Sequence, residues 1–455
     1  MAKKNQPQTP EEKLARALVP EDQQPYALPK GWMWTKLEII AELITGNTPS
    51  KKEQTYYGND VPFYKPADLD AGRHVCTSSE YLSKKGAAVG RLIPTGATSV
   101  CCIGSIGKCG FIENPGCTNQ QITSVIPYFN NLYIYYLCQS PLFQTELIEK
   151  SSSTTISIVN KAKMGKCIIP LPPLPEQQRI VARIESLFAK LDAARDKLQQ
   201  VLDTQEARRA AILHEAFTGR LTGHKGSAEC RGKREKEGAQ NPEGTEFVPE
   251  GWKRVKFSDI AEVKSNLVSP QDYQDFPHIA PDNIEKATGR LLSYHTIKED
   301  KVTSPKHRFY PGQILYSKIR PYLSKVVIVD FDGLCSADMY PIETTENTRY
   351  LWYYMLSNEF LLQALSGKSR TVLPKINQKE LAQIKVLVPP PDEQIVIVEK
   401  LDRIFMNEQK NYKIVRYSLS QIDLLKKSIL ARAFRGQLGT QDPSDPDARD
   451  LLTSE

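Results

Sequence analysis

One stretch of this chain occurs twice. Pro172-Pro173-Leu174-Pro175-Glu176-Gln177 returns 217 residues later as Pro389-Pro390-Pro391-Asp392-Glu393-Gln394. About forty residues further on, the first copy closes with Phe217-Thr218-Gly219-Arg220-Leu221. The second closes with Phe434-Arg435-Gly436-Gln437-Leu438, at the same offset and without a gap. The register runs upstream to Thr154/Thr371 and Asn160/Asn377. Between the ends it pairs Val181/Val398, Phe188/Phe405, Ile212/Ile429, Leu213/Leu430 and Ala216/Ala433. One long internal period means two copies of a single structural unit, and every other feature has to be placed within that repeat.

Each copy predicts a long helix. Prolines suit a first turn and are barred from a helix interior, so they stop whatever precedes. Glu176 and Glu393 put a carboxylate at the positive end of the helix dipole. Neither proline nor glycine interrupts the run from there to Gly219 or Gly436, where glycine is the expected stop. Apolar positions fall at Ile180, Ile184, Leu187, Leu191, Ala194, Leu198 and Val201, in alternating steps of four and three. Copy two keeps the stripe at Ile397, Leu401, Ile404, Val415, Ile422, Leu425 and Ile429, broken by Glu408 and Asn411. Such steps make a coiled-coil seam, and two matched stripes predict that the helices pack on each other. At 1.5 Å per residue each rod would be roughly 60 Å long.

The 455 residues suffice for two or three domains. No apolar run approaches a membrane span, and Met1-Ala2-Lys3-Lys4 leads into polar residues rather than a signal peptide. Nine cysteines without a C-x-x-C pair suggest reduced thiols in a cytoplasmic protein. Cys101, Cys109 and Cys117 are evenly spaced but have no histidine beside them to complete a zinc set, so they are read as structural. Of the net charge of +7, residues 30–170 carry +4 and residues 250–388 carry +3. The basic excess therefore sits in the two segments ahead of the helices, as expected of anion-facing modules on a neutral scaffold.

In chain order, residues 1–28 form a leader, in which Thr9-Pro10-Glu11-Glu12 has the capping-box arrangement before a short helix. A first domain over 29–171 opens with Gly31-Trp32, and its long helix covers 172–221. A Gly/Lys/Glu-rich linker follows over 222–247. The second domain, 248–388, opens with Gly251-Trp252 and feeds a helix over 389–438. Residues 439–455 are an acidic tail. Thr98–Ile103, Gln121–Ile126, Gln313–Tyr316 and Lys325–Val329 predict strands, and Tyr133–Cys138 and Tyr350–Leu356 predict short helices. The fold class is α+β, with two mixed domains related by internal duplication and each followed by a long helix.

Pro-Pro-x-x-Glu-Gln opening a long helix, Gly-Trp opening a variable domain, and the duplication of the whole resemble the specificity subunit of Type I restriction–modification systems over roughly residues 29–440. The resemblance implies that each domain is a target-recognition domain reading one half of a split sequence in double-stranded DNA. It implies an antiparallel coiled coil that sets the spacing and docks two methyltransferase subunits, with restriction/translocase subunits joining the complex. It also implies no catalysis and no cofactor in this chain, S-adenosylmethionine, ATP and Mg²⁺ belonging to partner subunits. A rod with one reader at each end suits such a task, since major-groove faces recur about every 34–36 Å. The helices agree between copies while the domains diverge, which predicts two unrelated half-sites.

Candidate DNA contacts follow from chemistry. Gly104-Ser105-Ile106-Gly107-Lys108 gathers backbone N–H groups, the Ser105 hydroxyl and the Lys108 ammonium, which would clamp a phosphate. The same residues would equally make a tight turn. Asn119, Gln120 and Lys65 could read base edges, amides pairing with adenine and lysine with guanine. In the second domain Lys318, Arg320 and Tyr322 lie in the loop after a strand, with Lys325, Arg370 and Lys375 near in sequence. A solvated surface arginine is the plain alternative for Arg320. Asn160 and Asn377 are read as turn or capping residues before DNA contacts.

Catalytic readings find little support. Gly367-Lys368-Ser369 mimics a phosphate-loop ending, but Leu362 stands where its first glycine is required. Asp282 followed by Glu299, Asp300 and Lys301 fits a loose metal-nuclease pattern, which arises often by chance in a chain with 25% charged residues. No Asn/Asp-Pro-Pro-aromatic tetrapeptide is present, six scattered histidines form no metal signature, and His214 reads as an interface or surface residue.

Overall fold

The computed structural model describes residues 10–152, 157–224, 248–366 and 374–453. The chain divides into two compact units, Met1–Leu198 with Tyr417–Glu455, and Gln199–Arg416. Each unit thus holds one domain, the start of that domain's own helix, and the end of the other helix.

In the first unit, Met33–Lys36 pairs antiparallel with Ile168–Leu171, tying the start of the domain to the residues just before the helix. Ala41–Thr45, Ile122–Pro127, Thr98–Cys101 and Cys109–Phe111 form a four-stranded antiparallel sheet in that spatial order. A second sheet runs Tyr81–Leu82, Tyr57–Tyr64, Gly116–Thr118, Leu92–Ile93, with one parallel pairing between Tyr57–Tyr64 and Gly116–Thr118. Helix Asn131–Gln139 covers the first sheet and Pro141–Glu149 packs beside it against Ile168–Leu171, each with its N-cap side chain, Asn130 or Ser140, accepting a backbone N–H.

The second unit repeats the plan. Lys253–Lys256 pairs with Lys385–Val388. The four-stranded sheet runs Ala261–Val263, Met339–Thr344, Ile314–Ser317, Val326–Ile328, and the other sheet here has five short strands. The predicted strands and the helices Asn131–Gln139 and Thr348–Met355 are found within a residue or two of expectation. Asn160 and Asn377 are helix N-caps, accepting from Lys163 N and Glu380 N at 2.9 Å each. The short leader helix is Pro10–Ala17; Thr9 of its cap, and most of the predicted linker, lie outside the described residues. No described helix is long and apolar enough to cross a membrane.

The second long helix is Pro391–Ala433. The first is divided into Leu174–Asp203 and Gln205–Phe217 by Thr204, whose hydroxyl donates back to Gln200 O at 2.8 Å. Such back-bonding competes with the helix ladder and bends it. The helices pack antiparallel. Lys426 Nζ meets Asp192 at 2.6 Å in the first unit, and Arg208 Nε meets Glu408 at 3.6 Å in the second. The seam departs from the expected stripe at three places, Ala194 being exposed, Val201 40% and Leu425 49% exposed. At the last of these Lys426 faces inward instead, its ammonium 4.9 Å from the Phe188 ring centre, so a lysine stem does the covering. The repeat holds here too, since Arg209 lies 4.0 Å from the ring of Phe405, the counterpart of Phe188.

The duplicated motifs turn out to be parts of one clamp. Glu176 is buried and accepts from Trp32 Nε1 at 2.6 Å and from Thr440 Oγ1 at 3.2 Å. Glu393 accepts from Trp252 Nε1 at 3.0 Å and from Thr222 Oγ1 at 2.6 Å. The neighbouring glutamines, Gln177 and Gln394, each accept from the backbone N–H of the N-cap residue of a domain helix, Asn130 or Asn347. Proline-rich start, Glu-Gln pair and Gly-Trp therefore form a single hydrogen-bonded joint between domain and helix.

Burial pushes the Glu176 carboxyl above its ordinary pKa, against the hydrogen bonds from Trp32 and Thr440. Trp32→Phe leaves a buried carboxylate oxygen without its donor and should cost about 1–3 kcal/mol in denaturant unfolding. The penalty should be greatest at neutral pH. It should shrink as the pH falls through the raised folded-state pKa, where protonation favours the folded state.

Candidate nucleic-acid interface

The two candidate loops are the same loop in two copies. Cys101 N bonds Lys108 O at 2.8 Å, as Ser317 N bonds Lys325 O at 3.0 Å. Gly104 N bonds Ser157 O, as Arg320 N bonds Pro374 O. Lys108 and Lys325 are therefore counterparts, and so are Gly104 and Arg320. Gly104 has φ +80°, and Arg320 takes φ +49° at the same place. An L-residue with a bulky side chain resists that conformation by about 1–2 kcal/mol, so the second domain holds an exposed arginine at a strained position that its twin gives to glycine. Tyr322 beside it is 50% exposed.

A second matched turn lies against each loop. Asn119 N bonds Tyr64 O and Cys102 N bonds Gln121 O in the first domain. Ser336 N bonds Ile279 O and Lys318 N bonds Asp338 O in the second. The structure thus gathers Lys65, Ser105, Lys108, Asn119 and Gln120 at one end of the first domain's sheets. It does the same with Lys318, Arg320, Tyr322, Lys325 and Lys375 in the second, where Ile319 bridges to Lys375. Arg370 lies outside the described residues, as does Gly367-Lys368-Ser369.

Equal backbone carries unequal chemistry. Asn119 is buried and joined to Gln121 in a local amide pair, whereas Gln120 is exposed and accepts from Thr48 Oγ1. In the second domain Asp338 holds Lys318 at 4.0 Å and Lys375 at 3.6 Å. Lys65 is paired with Glu80 at 2.6 Å and Lys108 with Asp70 at 2.7 Å. Lys325, mostly buried, donates to Pro281 O at 2.7 Å and lies 3.5 Å from Asp282. These lysines are braced as well as charged. Sequence reading missed Thr48, whose only signal is the polar run after Gly46, and Arg91, whose guanidinium donates to Thr45 O at 2.6 Å.

Two carboxylates of the loose nuclease pattern are otherwise engaged, while the Asp282 side chain is fully exposed. Glu299 accepts from Thr296 N at 2.8 Å and Oγ1 at 3.0 Å, and Asp300 bonds His278 and His295. Among the described residues no group of three or more His, Cys, Asp or Glu could hold a metal. Burial raises the thiols of Cys109 to about 12 and Cys117 to about 11, in keeping with structural roles. His214 is exposed and bonds Glu359.

Two domains of one plan, each joined to a long helix through a matching Trp–Glu and Gln–N-cap clamp and carrying unlike polar loops, define a duplicated recognition scaffold. The family model described as the Type I restriction modification DNA specificity domain matches residues 29–203 and 249–416, and the chain belongs to that family. It is 39% identical over 319 residues to the Type I restriction enzyme EcoDI specificity subunit of Escherichia coli, covering 68% of this chain and 70% of that one. It is 24% identical to the MjaIX specificity subunit of Methanocaldococcus jannaschii, covering 86% and 91%. The fold matches the crystal structure of the HsdS subunit from Thermoanaerobacter tengcongensis with a TM-score of 0.60 at 17% identity, over 91% of this chain and 99% of that one.

Proposed function

We propose that this chain is the DNA-recognition subunit of a cytoplasmic Type I restriction–modification complex. Each domain reads one half of a bipartite, asymmetric target, and the helices set the spacing and dock two methyltransferase subunits. Restriction subunits join that assembly. S-adenosylmethionine, ATP and Mg²⁺ are handled by the partners, and this chain performs no catalysis. The observation that carries the reading is the contrast between the copies. Their joints to the helices share the Trp–Glu and Gln–N-cap bonds, while the exposed turns differ in charge and type, Gly104 against Arg320 and Gln121 against Asp338. The second helix also exposes apolar side chains, Met406 and Ile414 in one unit and Tyr417 and Leu424 in the other, which suits a protein partner.

The test is to express the chain with its methyltransferase partner and sequence the methylated positions. Two unrelated half-sites at a fixed gap are expected; a palindrome or one continuous site would overturn the reading. Lengthening the helical pair by one turn should alter the gap and leave both half-sites intact.

Arg320 is the proposed second-domain contact. Arg320→Gly should raise stability by up to about 1 kcal/mol, because glycine relieves the left-handed strain at some entropic cost. The same change should weaken binding of the cognate duplex. A variant that gained stability and bound as before would remove Arg320 from the interface.

A further inference from the structure

Resting on that reading, we infer that Gln120 reads an adenine in the first half-site and that Thr48 is the positioning residue that holds its side chain in place. A glutamine pairs with adenine by accepting from N6–H through Oε1 while donating to N7 through Nε2. It can do so only with the amide facing the right way. On a solvent-exposed glutamine the two faces interchange freely, and fixing the side chain costs conformational entropy at the moment of binding. Here Thr48 donates its hydroxyl to Gln120 Oε1 at 2.5 Å. A hydroxyl can donate to one face of an amide or accept from the other, so the contact fixes where the Gln120 amide sits, and the base edge it meets selects the face presented. One lone pair of Oε1 and both protons of Nε2 remain for a base edge.

The segment that carries Thr48 is itself held rigidly. A Cβ at Gly46 would come within 2.2 Å of Thr118 O and 2.4 Å of Asn119 O, so only glycine lets the segment lie against the turn that bears Gln120. Asn47 Nδ2 donates to Val89 O at 3.2 Å, and Tyr57 OH donates to Pro49 O at 2.8 Å. On either side of Gln120 the buried Asn119 and the half-buried Gln121 bond each other and fix the turn. Two exposed side chains are thus locked together on a framework anchored at both ends, the arrangement that a preorganised contact needs. Arg91, beside them on Thr45 O, supplies a cation at the rim for the backbone phosphates. The second domain lacks the device, having Ala337 where the first has Gln120.

The experiment uses the full chain in complex with its methyltransferase subunits and a set of duplexes in which every base of the first half-site is replaced in turn. Gln120→Ala should lower binding of the cognate duplex about tenfold to a hundredfold and abolish preference at one A·T pair. Thr48→Val, which removes only the hydroxyl, should relax preference at that same pair, and Thr48→Ser should restore it. Preference at every other position, the second half-site included, and thermal melting should be unchanged. An unaltered preference profile in Gln120→Ala would overturn the inference, as would uniform weakening on all duplexes. Loss of preference in the second half-site would instead overturn the reading of the domains as independent.

Discussion

Replacing residues 30–170 with the corresponding segment of another family member is expected to change one half of the recognised sequence completely and leave the other untouched. The expectation rests on how the domain is attached. Its links to the helices run through the Trp32–Glu176 and Asn130–Gln177 bonds and the Met33–Lys36 ribbon, and the second domain rebuilds each of these with its own residues. The exposed turns take no part in the joint, so a foreign set can be carried on it. Sequencing of methylated positions reads out the result. A change in both halves would mean that one domain alters what the other reads.

Phe434→Ala is expected to cost about 3–5 kcal/mol, the range for truncating a fully buried phenylalanine. Phe434 closes the first domain from the far end of the second helix, with its ring 5.3 Å from that of Tyr133 at a tilt of 66°. Phe217 does the same in the second domain against Tyr350, at 5.5 Å and 76°. The two tyrosines are counterparts, donating to Pro170 O and Leu387 O just before each helix. Denaturant unfolding should show the loss in the first unit, and Phe217→Ala should place the same loss in the second. If Phe434→Ala cost under 1 kcal/mol, the helix end would be an ornament to the core rather than its lid.

Much of this was legible in the residues. The offset of 217 between copies foretold paired helices, because a repeat of equal length with matched apolar steps has one economical packing. What the pattern could not convey was the company kept by the motif residues. Glu176 and Trp32 are far apart in sequence, and no periodicity signals a hydrogen bond between them; each was interpretable only by its local role. The seam was misjudged at Leu425 because hydropathy counts lysine as outward, whereas Lys426 buries its stem and keeps its charge on Asp192. Among the loop residues, Arg320 stands out by its charge in the loop after a strand and Lys108 by its charge beside Gly107. Thr48 did not, because a hydroxyl in a polar run matters only once it is known which amide it meets.

The exchange of helix ends between the two units has a bearing on chain continuity. Cleavage between residues 224 and 248 would yield two fragments, and neither could complete a unit alone, because each unit draws on residues from both sides of the cut. The nicked protein should therefore stay together and keep its specificity, as a ring of two links survives the loss of one. By the same logic, two separate copies of a half-length chain could close on each other and would then read an inverted repeat. A single chain holding both halves can carry unlike loops on them, as at Gly104 and Arg320.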